Sequence, residues 1–268
     1  MRSSASTGLI KRRDMMADLP DTDAMLAFVL RFVQDRRHSN HVTVPVDSSS
    51  EYLALHGLIN RARRFTRAHL RLRKSGFAPE GHVLVRSALE HSVTAQWAYL
   101  TPGGIDRLRV SLSTAQRDLA RSMISYSSDP AWISRTDELT SAILPGPALP
   151  KFNGPNGILA ELDSVKFLQT TYRVLSQVGH VTHQAATDSV IEVDGNVHLA
   201  DEPEETMDVE VLYTLVGVAM MTEWLVARLE GNTHEIRRLH ELSQDLHVPW
   251  RLDTHLPNHR RRFPDEDS

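Results

Sequence analysis

Arg86 and Glu90 lie four residues apart in the run His82-Val-Leu-Val-Arg-Ser-Ala-Leu-Glu-His-Ser-Val-Thr-Ala-Gln-Trp-Ala-Tyr-Leu100, which is otherwise almost wholly apolar. A guanidinium and a carboxylate at this spacing share one helix face and can pair directly. His91 follows at once. Together the three groups could do phosphoryl chemistry. Arginine stabilises charge on phosphate, a carboxylate orients the guanidinium, and imidazole moves a proton near neutral pH. Five residues place His91 about 140° around a regular helix from Arg86. The two therefore diverge unless the helix bends or a second chain completes the site. Buried charge is costly unless paired, so Arg86–Glu90 is either a clamp that fixes helix register or part of a site.

A second polar cluster is Tyr172-Arg-Val-Leu-Ser176-Gln-Val-Gly-His180-Val-Thr-His183. Tyr172, Ser176, Gly179 and His183 fall on one helical stripe, and Ser176 and His180 are also four apart. These residues either cap and brace their own helix or bring a histidine to Arg86, with His180 the expected partner. A third feature is basic. Arg64, Arg67, Arg71 and Lys74 follow spacings of three and four, and between residues 51 and 76 only Glu51 opposes the basic residues. This stripe is either a solvated face or a phosphate-backbone contact. Phe65 is the one aromatic interleaved with this stripe, so a base-stacking platform is not supported.

Glu90, His91, Glu161, His180 and His183 are also a donor set of the kind that holds iron, manganese or zinc between bundle helices. The Glu-x-x-His pairs of di-iron bundles are absent from these segments, so neither a metal nor a cofactor is expected. No cysteine occurs anywhere in the 268 residues. That excludes disulfides, thiol nucleophiles and cysteine-ligated metal sites.

The elements that must position these residues read as helices. Asp21-Thr-Asp23 caps a helix over about 24–37, and Asp47-Ser-Ser-Ser50 caps a longer one over 51–74. Pro79 stands in the first turn of the central helix, which Thr101-Pro-Gly-Gly104 breaks. Further helices are predicted over about 105–125, 158–177, 209–230 and 234–246, with a short one near 133–143. Alternation around Asp194-Gly195 predicts a β-hairpin over about 189–199. The fold class is therefore all-α: a bundle of five to six long helices with a small β-hairpin insertion. One domain is expected over 21–246, with disordered segments at 1–20 and 247–268. Net charge is only −4, so no global field calls for nucleic acid or a membrane. The most apolar stretch, Val209 to Leu229, is interrupted by Glu210, Glu223 and Arg228. The start lacks the long apolar core of a signal peptide, and cytoplasmic residence without a membrane partner is expected.

The order Val85-Arg86-Ser-Ala-Leu-Glu90, then Tyr172-x-x-Leu175-Ser176-x-x-x-His180 ahead of the hairpin, resembles the DUF5677-like group of bacterial helical proteins. The likeness covers about residues 50–230. That group is in turn similar to HEPN-type bundles, many of which are metal-independent ribonucleases of toxin–antitoxin and phage-defence systems that work as homodimers. Their signature is Arg, four to six residues, then His. Arg86-Ser-Ala-Leu-Glu-His91 fits it, with Ser87 in place of the usual Asn, Asp or His. The resemblance implies RNA as a partner, homodimerisation, and Arg86 with His180 or His91 as the reacting groups. The competing reading is a non-catalytic helical module that binds a protein or ligand, with Arg86–Glu90 as a structural clamp.

Overall fold

A computed structural model describes residues 22–34, 44–126, 129–142, 152–163, 166–179, 190–199 and 208–252. The predicted disordered segment at 1–20, the sequence beyond 252, and both His180 and His183 lie outside the described residues. The molecule is an all-α bundle, as its helical periodicity predicts. Helix α1 (Thr22–Gln34) buries Met25, Phe28, Val29, Phe32 and Val33, the three-and-one spacing of a single stripe. Helix α2 (Val46–Lys74) buries Tyr52, Leu55, Ile59, Ala62, Thr66 and His69. It starts about a turn earlier than Asp47 suggests. Pro45 is its N-cap residue and supplies no side-chain cap, while Asp47 lies in the first turn, where a carboxylate favours the helix dipole.

Helix α3 (His82–Leu100) is the centre of the bundle. It packs against α2, α6 (Gly154–Leu162), α7 (Phe167–Gly179) and α8 (Asp208–Glu230). Every residue from Ser92 to Leu100 is buried, which is why this half is apolar on all sides. The helix begins at His82 rather than at Pro79. The intervening residues make a turn in which the Gly81 N–H donates to the carbonyls of Phe77 and Ala78. A Cβ on Gly81 would stand 2.5 Å from His69 Nδ1, so only glycine lets the start of α3 close onto α2.

The predicted helix over 158–177 is two helices. α6 ends at Leu162, Lys166 adopts a positive φ of 59°, and α7 begins at Phe167. The Asp163 carboxylate receives the Gln169 N–H at 2.8 Å and so serves the start of the new helix. This break gives α7 a direction of its own across α3. Helices α4 (Gly104–Tyr126) and α5 (Pro130–Ala142) pack mainly on each other. Only Gly104, Leu108 and Ala120 of α4 are buried. Strands β1 (Val190–Val193) and β2 (Asn196–Leu199) pair antiparallel. Asp194 and Gly195 both take positive φ between them, as a tight two-residue hairpin turn requires.

Helix α8 is long and apolar enough by length and composition to cross a membrane, although Glu210, Glu223 and Arg228 lie within it. In the bundle 78% of that apolar window is buried, against α1, α2, α3, α7 and α9 (Thr233–Leu246). The expected disordered tail from 247 is corrected at its start. Val248 and Leu252 are buried in the main core. The fully buried Gln96 donates to the carbonyls of Met221 and Trp250 and accepts the Leu252 N–H at 2.7 Å. Trp250 stacks on His240 with ring centroids 5.0 Å apart. The domain therefore extends to at least residue 252, because one buried amide needs this segment to satisfy both of its ends.

Candidate functional site

The first half of α3 differs from the second. Among the described residues its solvent-reaching side carries Val83, Leu84, Arg86, Ser87, Glu90 and His91, while the rest of the helix is covered. Spacing decides where each points. Arg86 and Glu90, one turn apart, face α7. His91, well round the axis, faces α2, where its ring lies against Phe65 at 5.3 Å.

Arg86, Glu90 and Tyr172 close a triangle. Arg86 Nε donates to Glu90 Oε1 at 3.1 Å. An Arg86 Nη nitrogen donates to the Tyr172 hydroxyl at 3.2 Å, and that hydroxyl donates to the same Glu90 Oε1 at 3.0 Å. The guanidinium carbon also stands 5.1 Å from the Tyr172 ring centroid, within cation–π range. The side chains of Arg86 and Glu90 keep 20% and 26% of their surface, so the triangle is open to solvent on one side. Burial raises the Tyr172 phenol above its ordinary value of 10.0; the Arg86 hydrogen bond opposes this, and the Glu90 charge adds to it. Tyr172 is therefore neutral at physiological pH and can act as a hydrogen-bond donor.

Ser176 does not join the triangle. Its hydroxyl turns back to the Tyr172 carbonyl at 2.7 Å, a common use of serine inside a helix. His91 Nδ1 lies 2.7 Å from the Ser87 carbonyl. A carbonyl only accepts, so Nδ1 carries the hydrogen and Nε2 holds the lone pair of the neutral ring. That is the tautomer of a general base, although it is directed away from Arg86. His180 and His183 lie outside the described residues, just beyond the end of α7.

Of the basic stripe, Arg64, Arg71 and Lys74 are exposed. Arg67 is committed elsewhere: its guanidinium donates to the Val33 carbonyl in the last turn of α1. There it satisfies a helix-end acceptor and offsets the negative end of the dipole. Glu161, of the possible metal donors, accepts from Asn153 Nδ2 at 3.1 Å. Among the described residues no group of three or more histidine or acidic side chains is placed to hold a metal.

Sequence reasoning passed over several buried polar residues. Arg63, His69, Gln96, Thr101 and Glu223 are all buried. The signal for Gln96 is present in the chain: an amide in the middle of a wholly apolar helical run must find partners or not be there. Compared with known proteins, the chain matches no family model, no curated sequence and no solved structure.

Proposed function

We propose that the solvent-reaching face of α3 binds and cleaves an RNA phosphodiester, in the manner of a HEPN-like, metal-independent ribonuclease acting as a homodimer in bacterial defence. One observation carries this reading: Arg86, Glu90 and Tyr172 meet at an open face where α3 crosses α7. Exposed Arg71 and Lys74 end the helix that leads into α3. Arg86 would hold a phosphate oxygen, with Glu90 and Tyr172 fixing its guanidinium. The ribose 2′-hydroxyl would attack phosphorus and lose its proton to a histidine base, while the 5′-oxygen leaves with a proton from the acid. His180 is the first candidate for this proton transfer and His91 Nε2 the second. The likeness to the DUF5677-like group is the further support.

The experiment is a cleavage assay on structured and single-stranded RNA in the presence of a chelator. Wild type is expected to cut, and Arg86→Ala and His180→Ala to lose cutting while keeping their helicity. Absence of cleavage by wild type, or full activity in both variants, sinks the assignment.

Closure of the triangle favours a second reading. Glu90 Oε1 accepts twice, and three side chains satisfy one another across two helices. That is what a register clamp in a non-catalytic module needs. In that case Arg86→Ala lowers stability and changes no RNA assay.

A further inference from the structure

Helix α2 ends in a Schellman motif. The Gly76 N–H donates to the Arg73 carbonyl at 3.2 Å and the Phe77 N–H to the Leu72 carbonyl at 2.9 Å, while Gly76 takes a positive φ of 82°. The Phe77 carbonyl in turn receives the Gly81 N–H at 3.2 Å. Phe77 is thus held through both of its backbone groups, one turn ahead of α3. An apolar residue is common at this position, where it covers the last turn of the helix it ends. That accounts for an aliphatic side chain but not for this one, because 53% of Phe77 stays in solvent.

The chain around this ring is mostly basic. Arg71 and Lys74 are exposed on the last turn of α2, and Glu80 is the one carboxylate between residues 71 and 83. Val83, on the solvent-reaching side of α3, is 44% exposed. Phe65, the aromatic within the basic stripe, already lies against His91 at 5.3 Å, so Phe77 is the aromatic with open surface next to these charges. An exposed ring on an anchored backbone, flanked by cations, matches the way single strands are bound: bases stack on the ring and phosphates meet the charges. A paired base is already stacked between its neighbours and does not reach such a ring.

We infer that Phe77 is a stacking platform for an unpaired nucleobase, and that the Arg86 face therefore takes single-stranded RNA rather than a duplex. The inference rests on RNA being the partner of that face. The test is fluorescence anisotropy of the full chain with a labelled 2′-O-methyl oligonucleotide, which lacks the attacking hydroxyl and so reports binding apart from cutting. Three probes are compared: the single strand, its duplex, and an abasic strand with the same phosphates. Wild type is expected to prefer the single strand to both others. Phe77→Ala should weaken single-strand binding about tenfold and leave the abasic strand unchanged. Phe77→Trp should keep wild-type affinity. Phe77→Leu, which keeps an apolar residue at the helix end, should fall with Phe77→Ala. Wild type that prefers the single strand but never cuts ordinary RNA sinks the ribonuclease assignment and not the platform. Equal affinity for all three probes, unchanged affinity in a folded Phe77→Ala, or no binding by wild type overturns the platform. So does unchanged affinity with a smaller oligomer in Phe77→Ala, which assigns the ring to a second copy instead.

Discussion

The hydroxyl of Tyr172 donates to the same carboxylate oxygen of Glu90 that receives Arg86 Nε. One oxygen atom thus joins α3 to α7, and the orientation of Arg86 depends on a residue 86 positions further along the chain. Tyr172→Phe removes the bridge while keeping the ring. It is expected to cost about 1 kcal/mol. Combined with Arg86→Ala in a double-mutant cycle, it should show a coupling of about 0.5–1.5 kcal/mol, checked by urea unfolding. Additive losses would mean that the three groups do not act as a unit.

The raised Tyr172 phenol has a pH consequence. The folded state holds this proton more tightly than the unfolded chain, whose tyrosine titrates near its ordinary value of 10.0. The neutral form's contribution is complete below that value and is lost as pH rises through it towards the folded value. Tyrosinate absorbance in wild type minus that in Tyr172→Phe should show a residue titrating above free tyrosine. A difference titration at or below the ordinary value would contradict burial as the dominant influence on this phenol.

The basic stripe divides into two kinds of residue. Arg67→Ala should lower stability by about 1.5–3 kcal/mol, since it removes a charged donor from the end of α1, and should leave RNA affinity unchanged. Replacing exposed Arg64, Arg71 and Lys74 together should leave stability within about 0.5 kcal/mol. If they touch the RNA backbone, the salt dependence of binding should fall by about one per residue removed. Filter binding across a salt series separates the two effects. Equal RNA losses from Arg67→Ala would reverse the assignment.

The bundle class could be read from the sequence because long amphipathic stripes announce themselves locally. Met25, Phe28, Val29 and Phe32 need no tertiary information to be recognised as one face. The divergence of His91 from Arg86 was equally legible, since it follows from helical geometry alone. The break at Asp163 was not. Without a glycine or proline there, a capping aspartate inside a periodic run looks like a surface residue until its partner, the Gln169 N–H, is seen. Tyr172 was legible as a stripe residue, but its meeting with Arg86 was not, because that depends on how α7 crosses α3. Arg67 looked identical to Arg64 and Arg71 because spacing does not reveal which arginine has a helix end within reach.

The strap after α9 offers a core test. Gln96→Leu leaves the carbonyls of Met221 and Trp250 and the N–H of Leu252 without their shared partner. The cost expected is about 2–4 kcal/mol, from the Trp250 carbonyl and the Leu252 N–H left without this buried partner. Ending the chain after residue 246 should cost at least as much, because Val248 and Leu252 leave the core as well. Thermal unfolding of both variants decides this. Wild-type stability in the shortened chain would show that the strap is not part of the cooperative unit.

That same contact sets an order of events during synthesis. Gln96 and Leu252 are 156 positions apart, which at about 5–20 residues per second separates their emergence by about 8–30 seconds. For that interval the most enclosed helix of the molecule has left the ribosome without the segment that answers its amide. The apolar α8, which covers much of it, also begins 108 residues after the end of α3. During that interval the nascent chain carries α3 covered on its α2 side but not by α8 or the strap, and chaperone demand should fall only once residue 252 is free of the exit tunnel.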